Sequence, residues 1–76
     1  MNISGVLVRT FPEGILPVSS CLTEIPGVEV HGNNKDGRIV VTVEQEQAHQ
    51  MADVIKRVTE LPGVLAASMI YHQFED

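Results

Sequence analysis

The sequence predicts an α+β fold of the ferredoxin-like type, a four-stranded antiparallel sheet with two helices on one face. The main observation is a repeat: Leu-Thr-Glu-Ile-Pro-Gly-Val at 22–28 returns as Val-Thr-Glu-Leu-Pro-Gly-Val at 58–64. Each copy stands where an amphipathic run ends and a strand-like run begins, which gives the element order βαββαβ. Residues 1–76 are therefore expected to form a single ferredoxin-like domain.

The first half of the chain predicts one strand and one helix. Segment 3–10 is aliphatic and β-branched without strict alternation, as is typical of a central strand. Pro17 is tolerated only in the first turn of a helix, so helix one is expected to begin near Gly14 or Ile15. Spacings of three, four and three place four apolar residues on one side of this helix: Ile15, Val18, Leu22 and Ile25.

Both helices are predicted to end at the Pro-Gly pair of the repeat, because proline cannot continue a helix and glycine accepts the backbone of a tight exit. Segment 28–31 then alternates as an edge strand does, and loop 32–37 connects it in a hairpin to a strand at 39–44. The last strand is predicted at 65–71. The apolar face of helix two is predicted to consist of Ala48, Met51, Ile55 and Val58, with Ala52 and Leu61 beside them.

Such a sheet has one face without helices, and side-chain alternation predicts which residues lie there. If Val6 and Val8 face the helices, their neighbours along the strand point outward. The residues predicted to face outward on the first three strands are Gly5, Leu7, Arg9, Glu29, His31, Val40, Thr42 and Glu44.

The facing of the last strand is ambiguous, because both alternating sets are acceptable as core residues. Alignment of the two repeats favours Leu65, Met69 and Tyr71 on the outside. Leu7, Val40, Leu65 and Met69 would then form an exposed apolar strip, rimmed by Glu29 and Glu44. A patch of this kind more often marks a binding surface than an accident.

Composition argues against several classes of function. Five Lys and Arg against ten Asp and Glu give a net charge of −5, which disfavours binding to a nucleic-acid backbone. The aromatic residues that an RNA-binding domain of this topology carries on its central strands are missing. No apolar stretch approaches the ~20 residues of a membrane-spanning helix, and no leader precedes the first strand, so a cytoplasmic location is expected.

The sequence predicts neither a metal site nor an active site. His31, His49 and His72 share no helical spacing, and Cys21 has no second cysteine as a partner. No Gly-rich phosphate loop opens a helix, and no nucleophile with its base can be argued from spacing. We therefore expect a binding protein that is not an enzyme and that holds no metal or cofactor.

The closing run at 63–73, Gly-Val-Leu-Ala-Ala-Ser-Met-Ile-Tyr-His-Gln, resembles the NapD family, as do Pro-Gly-Val-Glu-Val at 26–30 and the strand at 37–44. The ending Ser-x-x-Tyr-His-Gln is the most specific part. The resemblance implies a ferredoxin-like cytoplasmic chaperone. Such a chaperone binds the twin-arginine signal peptide of the periplasmic nitrate reductase catalytic subunit precursor and restrains its export until the molybdenum cofactor is inserted.

A twin-arginine leader carries two guanidinium groups followed by an apolar stretch, so its receptor needs carboxylates beside an apolar surface. We expect Leu7, Val40, Leu65 and Met69 to receive the apolar stretch as a helix laid on the sheet, with Glu44 and Glu29 near the arginines. Tyr71 and His72 match the family ending, although structural roles explain them almost as well.

Two other classes of function stay open at this point. Small-molecule regulatory domains similar to the ACT domains share the βαββαβ order and a Pro-Gly-Val element, and they bind ligands at a dimer interface. The other alternative is a structural subunit whose sheet is permanently covered by a partner protein.

Overall fold

The computed structural model describes residues 2–74, so the first residue and the last two of the predicted domain lie outside the described part. The element order is the predicted one. The strands are β1 (Asn2–Arg9), β2 (Val28–Asn33), β3 (Arg38–Gln45) and β4 (Ala66–Phe74), and the helices are α1 (Ile15–Thr23) and α2 (Ala48–Glu60). A short 3-10 turn, Pro12–Gly14, precedes α1.

The four strands form one antiparallel sheet in the order β2-β3-β1-β4. The central position of β1 and the edge position of β2 are therefore confirmed, and β4 is the other edge. Alternate residues of the strands pack with both helices into one core, which confirms the ferredoxin-like α+β fold. The core residues are Val6, Val8, Val18, Leu22, Ile25, Val28, Ile39, Val41, Val43, Met51, Val54 and Val58.

Helix α1 begins at Ile15, as the position of Pro17 predicts. Pro17 is the third residue of the helix, where its missing N–H removes no intrahelical hydrogen bond. The helix ends earlier than the apolar spacing indicates. Ile25 lies in the turn after Thr23, yet it is only 3% exposed and belongs to the core.

The two copies of the repeat form the same turn. The backbone N–H of Val28 donates to the carbonyl of Ile25 at 3.1 Å, and that of Val64 donates to the carbonyl of Leu61 at 3.1 Å. Gly27 and Gly63 have φ values of +85° and +93°, in the left-handed region that favours glycine. The prediction that Pro-Gly ends both helices is thus confirmed.

The predicted apolar face of α2 needs correction. Its buried residues are Met51, Val54 and Val58, whereas Ala48 and Ala52 are exposed and Ile55 is only half-buried. Met51, Val54 and Val58 follow one another at spacings of three and four, so they share one side of the helix. The repeat agrees with this, because it aligns Val54 of α2 with the buried Val18 of α1.

Candidate functional site

The sheet face opposite the helices, which we call the outer face, is built mainly from β1 and β3. Buried and accessible residues alternate along both strands: Val8 and Ile39 are fully buried against the helices, while Leu7 and Val40 point the other way. On these two strands the outer face consists of Ile3, Gly5, Leu7, Arg9, Arg38, Val40, Thr42 and Glu44. The predicted facing of β1 and β3 is confirmed.

Leu7 and Val40 form the apolar centre of the outer face. They are cross-strand partners in the β1–β3 register, so their side chains are neighbours on one surface. Val40 is 41% exposed although its strand is central, because no helix covers this side of the sheet. A groove of about 410 Å³ lies beside them, and His31 and Arg38 complete its side-chain lining together with residues 32–34.

Glu29 and Glu44 lie together at one end of the outer face, and we call them the acidic pair. Glu29 is opposite Thr42 in the β2–β3 register, and Glu44 is two residues further along β3. This diagonal relation separates their Cα atoms by about 7–8 Å. Both side chains are exposed. The structure therefore places two carboxylates beside an apolar surface, although their role in binding stays a prediction.

The predicted outward facing of Met69 is wrong. Met69 is opposite Val6, which faces the helices, so Met69 lies on the helix side of the sheet, where it is 51% exposed. The cause is a β-bulge: the register passes from Gly5 opposite Tyr71 to Val6 opposite Met69, and Ile70 is the extra residue. A bulge reverses the facing of every residue on one side of it relative to simple alternation.

Leu65 lies one residue before β4, at the end of the sheet. Its backbone N–H donates to the carbonyl of Arg9 at 2.8 Å, and its side chain is 58% exposed. It lines a second groove, of about 330 Å³, together with Phe11 and Arg9. Of the four residues predicted to form one apolar strip, the structure makes only Leu7 and Val40 direct cross-strand neighbours.

Tyr71 extends the outer face onto β4, where Ser68 and Ala66 also lie on that side. It is opposite Gly5, and a Cβ atom added to Gly5 would collide with the Tyr71 ring. The glycine thus leaves room for the ring to lie over the strand next to Leu7. Alignment of the two repeats predicted that Tyr71 faces outward, and the register confirms it. The missing side chain at Gly5 is a second signal in the sequence, which the prediction did not use.

Two of the three histidines, His31 and His72, make hydrogen bonds between strands. His31 Nε2 lies 2.7 Å from the Thr42 hydroxyl oxygen, which confirms that His31 lies on the outer face. His72 Nδ1 lies 2.6 Å from the hydroxyl oxygen of Ser4, a residue with no exposed surface. Because Ser4 is fully buried on the helix side of the sheet, its hydroxyl group is not an accessible nucleophile.

Within residues 2–74, no three side chains of the His, Cys, Asp and Glu types lie close enough together to hold a metal ion. None of the helices described has both the length and the apolar character required to cross a membrane.

Comparison with known proteins agrees with this architecture. The NapD protein family model matches residues 1–76. The curated chaperone NapD of Escherichia coli (strain K12) is 33% identical over 76 residues, which cover 99% of this chain and 87% of the relative. These relatives are named as chaperones, a non-enzymatic family, in agreement with the prediction that the chain is not an enzyme.

Solved structures give the same result. The solution structure of the E. coli Tat proofreading chaperone protein NapD superposes with a TM-score of 0.87 at 33% identity, covering 97% of this chain and 79% of that chain. A Pyrococcus furiosus transcriptional regulatory protein of the AsnC family superposes with a TM-score of 0.80 at 19% identity, covering 99% of this chain and 51% of that chain, which shows a shared fold alone. The match over the whole length, together with the common sheet and helices, shows that the chain belongs to the NapD family of chaperones.

Proposed function

We propose that this protein binds, in the cytoplasm, the twin-arginine signal peptide of the periplasmic nitrate reductase catalytic subunit precursor. Its binding would restrain export of the precursor until the molybdenum cofactor has been inserted. Membership in a chaperone family supports a protein partner rather than the small-molecule ligand of the ACT-like alternative. The E. coli relative, described as a Tat proofreading chaperone, supports an export signal as the part that is bound.

The observation that carries the proposal is the pairing of charge and apolar surface on the outer face. Leu7 and Val40 offer an uncovered apolar centre, and the acidic pair lies at one end of it. A twin-arginine peptide has the complementary order, with two guanidinium groups followed by an apolar stretch. Guanidinium groups form bidentate hydrogen bonds with carboxylates, and an amphipathic helix lays its apolar side on an apolar surface.

Binding alone suffices for the proposed activity. A signal peptide held against the outer face is withheld from the export machinery, so the two compete for the same segment. No covalent step and no cofactor in the chaperone are needed. Release then follows from the equilibrium between the chaperone complex and the export complex.

Titration calorimetry with the signal peptide tests the proposal. We expect the wild-type peptide to bind, and we expect a peptide with both arginines replaced by glutamine to bind at least about tenfold more weakly, since hydrogen bonds to charged groups contribute about 1.5–3 kcal/mol each. A peptide with the same composition but a shuffled apolar stretch controls for charge attraction alone. Equal affinity of the arginine and glutamine peptides would refute the role of the acidic pair.

Substitution of Val40 by Glu tests the apolar part. A charge at the centre of the outer face should reduce binding strongly, while unfolding by urea should show an intact cooperative fold because Val40 does not belong to the core. The matched control is Ala52→Glu on the exposed side of α2, which adds the same charge far from the outer face. Unchanged binding by the Val40→Glu variant would refute the assignment of this face.

A further inference from the structure

Two arginines lie side by side at the end of the outer face remote from the acidic pair. Arg9 and Arg38 are direct cross-strand partners, and both are exposed. Along β3 the outer-face residues follow in the order Arg38, Val40, Thr42, Glu44. Glu44 lies six positions after Arg38 along β3, so the basic end and the acidic end are about 20 Å apart.

This placement is unfavourable for the isolated protein. Like charges directly opposite each other destabilise an antiparallel pair. The chain has only five Lys and Arg in total, and two of them meet here. Within residues 2–74, neither guanidinium takes part in an ion pair. Within the described residues, the fold therefore holds two guanidinium groups together without an ion pair to either of them.

Each arginine also borders an apolar groove. Arg38 lines the groove that contains Leu7 and Val40. Arg9 lines the one that contains Phe11 and Leu65, and Asp36 is the single acidic residue in the lining of that groove. A ligand bound along the outer face from the acidic pair across the apolar centre would therefore have its far end at the two guanidinium groups. The surface is complementary to a segment that is basic at one end, apolar in the middle and negatively charged at the other end.

We propose that Arg9 and Arg38 form a second subsite, which binds negatively charged oxygen atoms at the C-terminal end of the signal-peptide helix and so fixes its direction on the sheet. The inference rests on the proposed function. An α-helix ends in unpaired carbonyl groups with a partial negative charge, and a carboxylate side chain near that end adds to it. The distance of about 20 Å between the two ends corresponds to about 13 helical residues.

The test uses two signal peptides that differ at one position just after the apolar stretch, with Glu in one and Lys in the other. The variant R9E/R38E is compared with K56E/R57E, which makes the same change of net charge on the exposed side of α2. By calorimetry at low salt, we expect R9E/R38E to bind the Glu peptide about tenfold more weakly than the wild type does, since exposed charge pairs each contribute modestly and both are reversed. The same variant should bind the Lys peptide no more weakly than K56E/R57E does.

Equal effects of the two double variants on both peptides would show that only net charge matters, and would overturn the subsite while signal-peptide binding stands. The neutral variant R9Q/R38Q guards against misfolding, because removal of the like-charge contact should not lower the urea midpoint. If the wild-type protein binds neither peptide, the proposed function fails and the subsite fails with it.

A spin label tests the direction separately. Placed next to the twin arginines of the peptide, it should broaden the amide signals of residues near Glu44 and spare those near Arg38. Broadening near Arg38 alone would show the opposite direction and would overturn the proposal even if the peptide binds tightly.

Discussion

The two edge strands, β2 and β4, follow the same kind of turn, but their bulges direct side chains to opposite faces of the sheet. Both follow a Pro-Gly-Val turn with the same hydrogen bonds, and both contain one bulge against their neighbour. In β2 the bulge lies at His31, whose ring reaches Thr42 on the outer face. In β4 the bulge lies at Ile70 and places Met69 on the helix side. A repeated local sequence thus determines the turn, whereas the register of the strand that follows depends on its partner.

The largest difference in stability is expected between a deletion in a bulged strand and a deletion in a regular one. Deletion of Ile70 removes the extra residue and leaves Met69 opposite Val6 and Tyr71 opposite Gly5, so the fold should survive with a loss of stability of about 1 kcal/mol. Deletion of Thr42 from the regular ladder of β3 reverses the facing of every residue beyond it and should abolish cooperative folding. Urea unfolding monitored by circular dichroism measures both, and similar losses would contradict the assigned bulge.

The next comparison concerns the two turns that lead into the edge strands. Gly27→Ala should cost about 3 kcal/mol, because a left-handed backbone is unfavourable for alanine and the new methyl group would collide with the carbonyl of Glu44. Gly63→Ala should cost about 1 kcal/mol, since its nearest obstacle is a methyl group of Val18 at 3.0 Å, which can shift. Chemical denaturation gives both values. A larger loss at Gly63 would show that the two turns are not held as described.

Binding distinguishes the two sides of β4. Tyr71→Glu should weaken signal-peptide binding about tenfold, because it places a charge on the outer face beside Leu7. Met69→Glu adds the same charge two residues away but on the helix side, and should change the affinity by less than about twofold. Calorimetry with one peptide compares the two variants directly. A stronger effect of Met69→Glu would restore the facing that simple alternation predicts.

The smallest effect is expected at the bulge of β2. Replacement of His31 by Ala removes one exposed hydrogen bond, of 2.7 Å to Thr42, and should lower the free energy of unfolding by about 0.5–1 kcal/mol. Thr42→Val removes the other partner and should have a similar cost, with little further loss in the double variant. Additive losses in this double-mutant cycle would mean that the hydrogen bond contributes nothing.

Sequence reasoning predicted the features that depend on local residues. The element order, the start of α1 at Ile15 and the edge position of β2 all follow from proline, glycine and periodicity. The facing of Leu7 and Val40 also followed, because β1 and β3 pair without interruption. The facing of Met69 was predicted wrongly because a bulge depends on how two distant segments pair, and no residue type in β4 indicates where it lies.

One further feature was accessible in the sequence but was not used. The repeat aligns Val54 with Val18, and this alignment alone would have moved the apolar face of α2 to its observed position. The opposition of Arg9 and Arg38 was not accessible, because it requires the register of β1 on β3, two strands that lie far apart in the sequence. Residue types thus predict which face of a strand or helix a residue occupies, whereas cross-strand pairs can be predicted only when the strand register is known.

The bulge at Ile70 has a consequence for the behaviour of the protein at high concentration. Residues 66–73 contain no Asp, Glu, Lys or Arg, and they form an exposed edge rich in apolar side chains. A straight edge of this kind offers a regular row of backbone donors and acceptors to another chain, and charged side chains commonly block it. Here the extra residue interrupts that row near the middle of β4. Geometry rather than charge therefore opposes the growth of an intermolecular sheet along this edge.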